Sequence, residues 1–248
     1  MKYTKSDLDH HLKADHQLGT LNTYLKEIVY GGNDGIITTF AVVAGFAGAN
    51  SGSSPATISM VAVLLFGLAN LFADAASMGL GNYLSIRSHQ DMFRSQKLIE
   101  KKQMVKDEKE EITQTLYLLK KKGFTDQQAK DITNIYSQNK PFWTDFMMTH
   151  ELGLTDSSRE NPILTGLATF ISFIAFGIIP LVPYFLLPAT LATFEASILF
   201  AFSALIILGI LRWKITKESV LRSVGEVLLV GITAGSIAFA VGTFFKSA

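Results

Sequence analysis

Apolar residues come in five long runs, and most charged residues are crowded into one stretch between the second and third. A helix that crosses a bilayer needs about 20 mostly apolar residues. The runs at 28–50, 56–86, 163–187, 189–211 and 224–245 each reach that length. The second is too long for the hydrocarbon, so its end is expected to project into water. Pro180, Pro183 and Pro188 mark a break between the third and fourth, because proline removes a backbone donor. The fold expected is all-α, an integral membrane protein with five transmembrane helices and a cytoplasmic helical insert between helices two and three. Its parts are an amino-terminal segment (1–27), helices one and two (28–87), the insert (88–159) and helices three to five (160–248).

The insert also reads as helical. Residues 91–122 hold helix formers and no proline, and Gly123 can cap their end. Thr125 can cap a second helix over 126–137, and Pro141 can start a third over 142–152.

Charge adds a direction. Lys2, Lys5, Lys13 and Lys26 precede the first run, the insert is lysine-rich, and Arg212, Lys214, Lys217 and Arg222 join the fourth run to the fifth. The connections at 51–55 and 183–194 carry no base. Basic loops stay on the cytoplasmic side, and five spans put every basic segment there. The amino terminus and insert are then cytoplasmic and the carboxy terminus outside.

Composition removes several classes. The 248 residues are 48% hydrophobic and 17% charged, with a net charge of +1, so nothing draws the chain to nucleic acid. No cysteine is present, which excludes disulfides, thiolate metal sites and cysteine nucleophiles. The first 27 residues lack an apolar core, and no cleavable signal is expected there.

Carboxylates inside spans are costly and usually face a cavity or a partner. Asp34 and Asp74 are two such groups. Counted from the outer ends of their runs at 1.5 Å per residue, they lie roughly 24 Å and roughly 27 Å deep, a matched level. Asn70, Asp74 and Met78 are spaced by four and share one stripe. Carboxylate, amide oxygen and thioether suit a borderline-soft divalent cation such as Fe²⁺, whereas Mg²⁺ and Ca²⁺ prefer oxygen alone. The plainer alternative makes Asp34 the cap of a helix broken at Gly31–Gly35 and Met78 a packing residue. Glu195 and Glu226 lie near helix ends, where a charge is cheap, and Gly231 and Gly235 form a GxxxG suited to close packing.

In the insert, Glu100, Gln103, Asp107, Glu111 and Gln114 recur at steps of three and four, with Met104 on the same face and Glu108 at its edge. Met147, Met148 and Glu151 follow, beside His150. Methionines among clustered acids fit metal binding. A solvated acidic face paired with Lys101, Lys102, Lys106 and Lys109 would show the same spacing. His10, His11 and His16 form a weaker cluster in the amino-terminal segment.

The stretches YGGNDGI at 30–36, ADAASMGLGNYL at 73–84 and DFMMTHELGL at 145–154 together resemble the vacuolar iron transporter family. The resemblance covers about 25–245, including the order of spans and the insert. It implies a five-helix homodimer that exchanges Fe²⁺, and often Mn²⁺, for protons, moving metal out of the cytoplasm. It implies Asp34 and Met78 as membrane ligands. It also implies that the insert gathers ions through Glu100, Gln103, Glu111, Gln114, Met147, Met148 and Glu151. Gln103 and Gln114 stand where plant-type members carry glutamate, and Asn70 where they carry a membrane glutamate. Glutamine keeps an oxygen ligand but loses the charge, so fewer or weaker insert sites are expected. Asp74 is placed to supply the charge that Asn70 lacks, and Asp107 or Glu108 to compensate in the insert.

The partners expected are the bilayer, a second copy, divalent metal ions and protons. Fe²⁺ or Mn²⁺ is cargo, and no prosthetic group is expected. The membrane is the inner membrane in a bacterium or the vacuolar membrane in a eukaryote. An alternative from another class is a membrane-anchored di-iron ferroxidase, but that chemistry wants paired Glu-x-x-His motifs, which the insert lacks. A metal-sensing membrane scaffold is the remaining alternative, and a simple anchor has no need of Asp34 and Asp74.

Overall fold

The computed structural model describes Thr4, Asp7 and residues 23–49, 60–158, 160–188 and 190–246. His10, His11 and His16 lie outside the described residues, as do Lys2, Lys5, Lys13 and the 51–55 connection. Among the described residues all regular structure is helical. The chain divides into two compact units, residues 1–82 with 163–248, and residues 83–162.

In the first unit, α1 (Leu25–Ala49) is one unbroken helix through Gly31–Gly35. The alternative in which Asp34 caps a broken start therefore fails: Asp34 sits mid-helix. The glycines serve close approach instead. A Cβ on Gly31 would stand 2.8 Å from the Thr169 carbonyl oxygen, and one on Gly35 would overlap the Phe173 carbonyl. Both contacts are with α6 (Pro162–Gly177). Gly177 returns the contact: a Cβ there would stand 2.8 Å from the Gly35 carbonyl oxygen. A second seam joins Gly45 and Gly48 of α1 to Gly242 of α9 (Val220–Lys246). Small residues let helix backbones approach where lipid provides no hydrophobic drive between helices. The GxxxG at Gly231 and Gly235 works differently, receiving the Leu205 side chain and the Phe40 ring.

The third apolar run is broken, as its prolines require. After α6 come a 3-10 turn (Ile179–Leu181) and the short α7 (Val182–Leu186). The Ser197 hydroxyl, on α8 (Leu191–Thr216), donates to the Pro180 carbonyl at 2.6 Å and satisfies an oxygen near the break. Lys217, with φ of 54°, ends α8 in the left-handed region, and its N–H bonds the Trp213 carbonyl.

Among the described residues, four helices are long and apolar enough to cross a membrane: Met60–Lys106, Pro162–Leu186, Leu191–Thr216 and Val220–Phe245. At 25 residues α1 has the length, but Lys26, Glu27, Asn33 and Asp34 dilute its apolar character, and it is not one of the four.

α2 (Met60–Lys106) begins in the first unit and ends in the second. The second unit adds α3 (Glu108–Lys121), α4 (Asp126–Ser137) and α5 (Lys140–His150). Thr125 and Gln128 form a full capping box, and Asn139 caps α5 with Pro141 in its first turn. The single helix expected over 91–122 is instead interrupted at Asp107. There the Asp107 carboxylate accepts the Glu110 N–H at 3.1 Å and starts a new helix. A core of Met104, Leu119, Ala129, Trp143, Phe146 and Met147 closes this unit. The Trp143 indole N–H donates to the Thr115 hydroxyl at 2.7 Å, so the ring is buried with its one donor satisfied.

Candidate metal centre

The interruption at Asp107 has a chemical consequence. Eleven residues of straight helix would hold Glu100 and Glu111 about 16 Å apart along the axis. The structure brings carboxylate oxygens of Glu100, Glu111 and Glu151 all within 4.8 Å of one another. Glu100 comes from the last turns of α2, Glu111 from the first turn of α3, and Glu151 caps the end of α5. A six-coordinate ion with bonds near 2.1 Å wants ligand oxygens roughly 3–4 Å apart. The triad has the right reach.

Two of the three are deeply buried, with Glu100 3% and Glu111 4% exposed. Buried carboxylates disfavour the charged form. Burial, and then Glu100 beside it, push Glu111 up to about 8. Burial also raises Glu100, and Glu151 is raised by burial, then by Glu100 and Glu110. Burial and the neighbouring Glu100 carboxylate favour the protonated form of Glu111. Glu100 Oε1 and Glu111 Oε2 are buried with no partner, as is Gln114 Oε1 one turn along α3. Six such orphaned side-chain atoms occur among the described residues, and two belong to this cluster. Native interiors rarely leave such groups unpaired, and a bound cation is one reason for it. A divalent ion would satisfy both glutamate oxygens and displace a carboxyl proton.

Asp107 and Glu108, the other sequence-predicted acids of the insert, are not gathered here. Asp107 is an exposed helix cap, and Glu108 is exposed and paired with Lys140 at 3.5 Å. Gln103 is exposed. Met147 and Met148 are fully buried. The Met147 sulfur accepts the Thr115 hydroxyl at 3.4 Å and the Met104 sulfur accepts the Thr144 hydroxyl at 3.3 Å, so both belong to the packed core. His150 stacks edge-on against Phe146 and is lowered by burial and then by Lys122.

In the first unit, Asp34 and Asp74 are both half-buried and close enough for their charges to repel. Met78 packs against the Leu71, Ala75 and Phe173 cluster. Asn70 is exposed and lines a groove of about 570 Å³ with Val42, Phe46 and Phe245. The stripe of Asn70, Asp74 and Met78 therefore serves three different surroundings.

The chain matches the VIT family over residues 25–243. It belongs to that family. Vacuolar iron transporter 1 of Arabidopsis thaliana is 32% identical, with 94% of this chain and 89% of the relative covered. The vacuolar iron transporter of Toxoplasma gondii is 33% identical over 97% of this chain and 81% of its own length. That of Plasmodium falciparum is 32% identical over 97% and 88%. The VIT family's named members are transporters, so this VIT chain is an integral membrane transporter and not an enzyme, and the ferroxidase alternative falls.

Two further polar groups of this VIT chain are not among the residues that spacing singles out as ligands. Glu27 is only 8% exposed in the first turn of α1, and Asn33 has an amide oxygen buried without a partner. The signal existed, since Glu27 is the one acid of that first turn. It went unused because a charge at the edge of an apolar run is ordinarily interfacial.

Proposed function

We propose that this protein exports Fe²⁺ from the cytoplasm in exchange for protons, and accepts Mn²⁺ as a second cargo. The observation that carries the reading is the triad of buried Glu100 and Glu111 with exposed Glu151, in which the first two each keep an orphaned oxygen. In this reading it captures the ion on the cytoplasmic side. α1 is a fifth span, the amino terminus is cytoplasmic, the carboxy terminus is outside, and two copies form the working dimer. Asp34 and Asp74, with Met78, take the ion within the membrane. A carboxylate in low dielectric holds a proton when empty and yields it to a divalent cation. That alternation is what couples outward metal to inward protons. The named relatives support iron as cargo. Manganese rests on the oxygen-rich donor set, which suits Mn²⁺ as well.

Proteoliposomes test it. Fe²⁺ flux driven by a pH gradient is expected to fall about 100-fold in Asp34→Asn, while Fe²⁺ binding by the insert stays intact. Glu111→Gln is expected to weaken that binding and slow the flux at low Fe²⁺. Undiminished flux in Asp34→Asn sinks the membrane assignment, and flux indifferent to the pH gradient sinks the antiport.

A further inference from the structure

Between α1, α8 and α9 lies an open groove of about 640 Å³ that plays no part in the metal chemistry above. Its walls are apolar, from Leu25, Val29, Val227 and Val230. Its rim is cationic. Lys26 is exposed at the first turn of α1, and Arg212 stands in the last turns of α8. The one acid of the lining, Glu226, is already held by Arg212 at 2.8 Å and by Arg222 at 3.1 Å. Arg222 also reaches Glu218 at 3.4 Å, so the two arginines and two carboxylates balance, and Lys26 leaves the rim with cationic charge in excess. A guanidinium carries five donors, so Arg212 has some to spare beyond that pair.

The groove sits where α8 ends and α9 begins, and both are apolar enough to span. It therefore opens at the level where headgroups meet acyl chains. Tyr30, 62% exposed on its lining, has the amphipathic character favoured at that level. One polar group lies deeper. Asn33 is seven residues along α1 from Lys26, about 10 Å further in, and its amide oxygen is buried without a partner. An amide turned over presents donors in place of that oxygen.

We propose that this groove is a binding site for one anionic glycerophospholipid per subunit. The phosphate pairs with Lys26 and Arg212, the ester carbonyls, which lie below the phosphate in such a lipid, take the Asn33 amide, and an acyl chain runs along Val29, Val227 and Val230. Apolar wall, cationic rim and a deeper lone amide match this ligand in order of depth. A zwitterionic lipid adds an ammonium where the rim is already cationic, and is disfavoured. The inference requires α8 and α9 to span but not that metal is exported.

The test is native mass spectrometry of the full chain in dodecyl maltoside, titrated with dioleoyl phosphatidylglycerol or with dioleoyl phosphatidylcholine. The expected result is one saturable phosphatidylglycerol per subunit, retained at least fivefold better than phosphatidylcholine. Lys26→Gln, at an exposed charge, is expected to cut retention at least fivefold. Val230→Trp, at a half-exposed position, should do the same by filling the groove without changing its charge. Equal retention of the two lipids overturns the proposal, as does unchanged retention in Lys26→Gln. Displacement of phosphatidylglycerol only by a large excess of inorganic phosphate supports a headgroup site held by an acyl chain, whereas phosphate retained as tightly as the lipid, and unaffected by Val230→Trp, overturns it. A shift of dimer fraction in both variants, with lipid retention unchanged, assigns the groove to a second copy and overturns it too.

Discussion

The two units hold their helices together by opposite means. In the first, backbones touch through glycine: Gly31 and Gly35 against α6, Gly48 and Gly242 against each other's helices. In the second, a tryptophan, two methionines and threonine hydroxyls fill a close-packed core around short helices. The carboxylates follow the same division. The first unit brings together one aspartate from each of two long helices, and the second gathers three glutamates from three helix ends. Long apolar helices in lipid cannot turn to converge, so small residues and single charges are what they offer. Short helices in water can stop, cap and restart, and each stop is a chance to aim a ligand.

The sharpest way to break the comparison is to empty the insert's core. Trp143→Ala removes a fully buried ring and its bond to Thr115, and such truncations cost about 3–5 kcal/mol. Hydrogen exchange should speed up across Glu108–Lys121 and Lys140–His150, with the helices of the first unit unchanged. Equal loosening of both units would mean that they do not hold themselves independently.

Gly35→Val attacks the other means of assembly. Its side chain meets the Phe173 backbone, which cannot rotate away, so a loss of at least about 1–3 kcal/mol is expected. Thermal unfolding in detergent should report it as a lowered midpoint, while metal binding by the insert persists. Gly81, where an added Cβ meets nothing, is the control: Gly81→Ala should leave the midpoint unchanged or raise it.

Four of the five expected spans were legible because 20-residue apolar runs have no other common explanation. The capping box at Thr125 and the proline break near Pro180 were legible for the same local reason. Gly31–Gly35 was not, since glycine both breaks helices and lets them touch, and only the neighbour across the gap decides which. Glu100 and Glu111 were read as candidates from a shared helical face, yet a straight helix would have kept them apart. What unites them is a cap at Asp107 in a run of helix formers. No residue type there announces a stop, because aspartate is common on exposed helix faces. Met104 and Met147 lie in the packed core of the insert, each sulfur within reach of a threonine hydroxyl, a placement that spacing along one helix does not show.

The glutamate triad also predicts a pH dependence in the second unit. Glu111 titrates near 8 in the fold against an ordinary 4.5, so the folded insert keeps a proton that the unfolded chain has released. A raised folded value adds stability fully below 4.5 and loses it as pH rises through 8. The metal-free insert should therefore weaken from pH 4.5 to 8. Metal must displace that proton, so affinity should move the other way, rising up to about tenfold per pH unit for each proton displaced, then levelling above 8. Isothermal titration of Fe²⁺ or Mn²⁺ under anaerobic conditions at stepped pH checks this. Glu111→Gln should flatten the profile, and an unchanged slope would show that the proton sits elsewhere.

The smallest effect separates ligand from scaffold at Asp107. The sequence spacing places it on the metal face, whereas the structure gives it an exposed position and a bond to the Glu110 N–H. Asparagine caps helices about as well as aspartate, and alanine costs about 1 kcal/mol. Asp107→Asn should therefore leave both stability and metal affinity near the starting values, although it deletes a negative charge. Asp107→Ala should lower the insert's stability by about that amount and relax the break that lets Glu100 and Glu111 meet, with a modest loss of affinity. A ligand would behave in the opposite order, with asparagine already losing most of the affinity. The ranking of the two variants, more than the size of either effect, decides whether the turn at Asp107 holds the metal or only holds the glutamates that do.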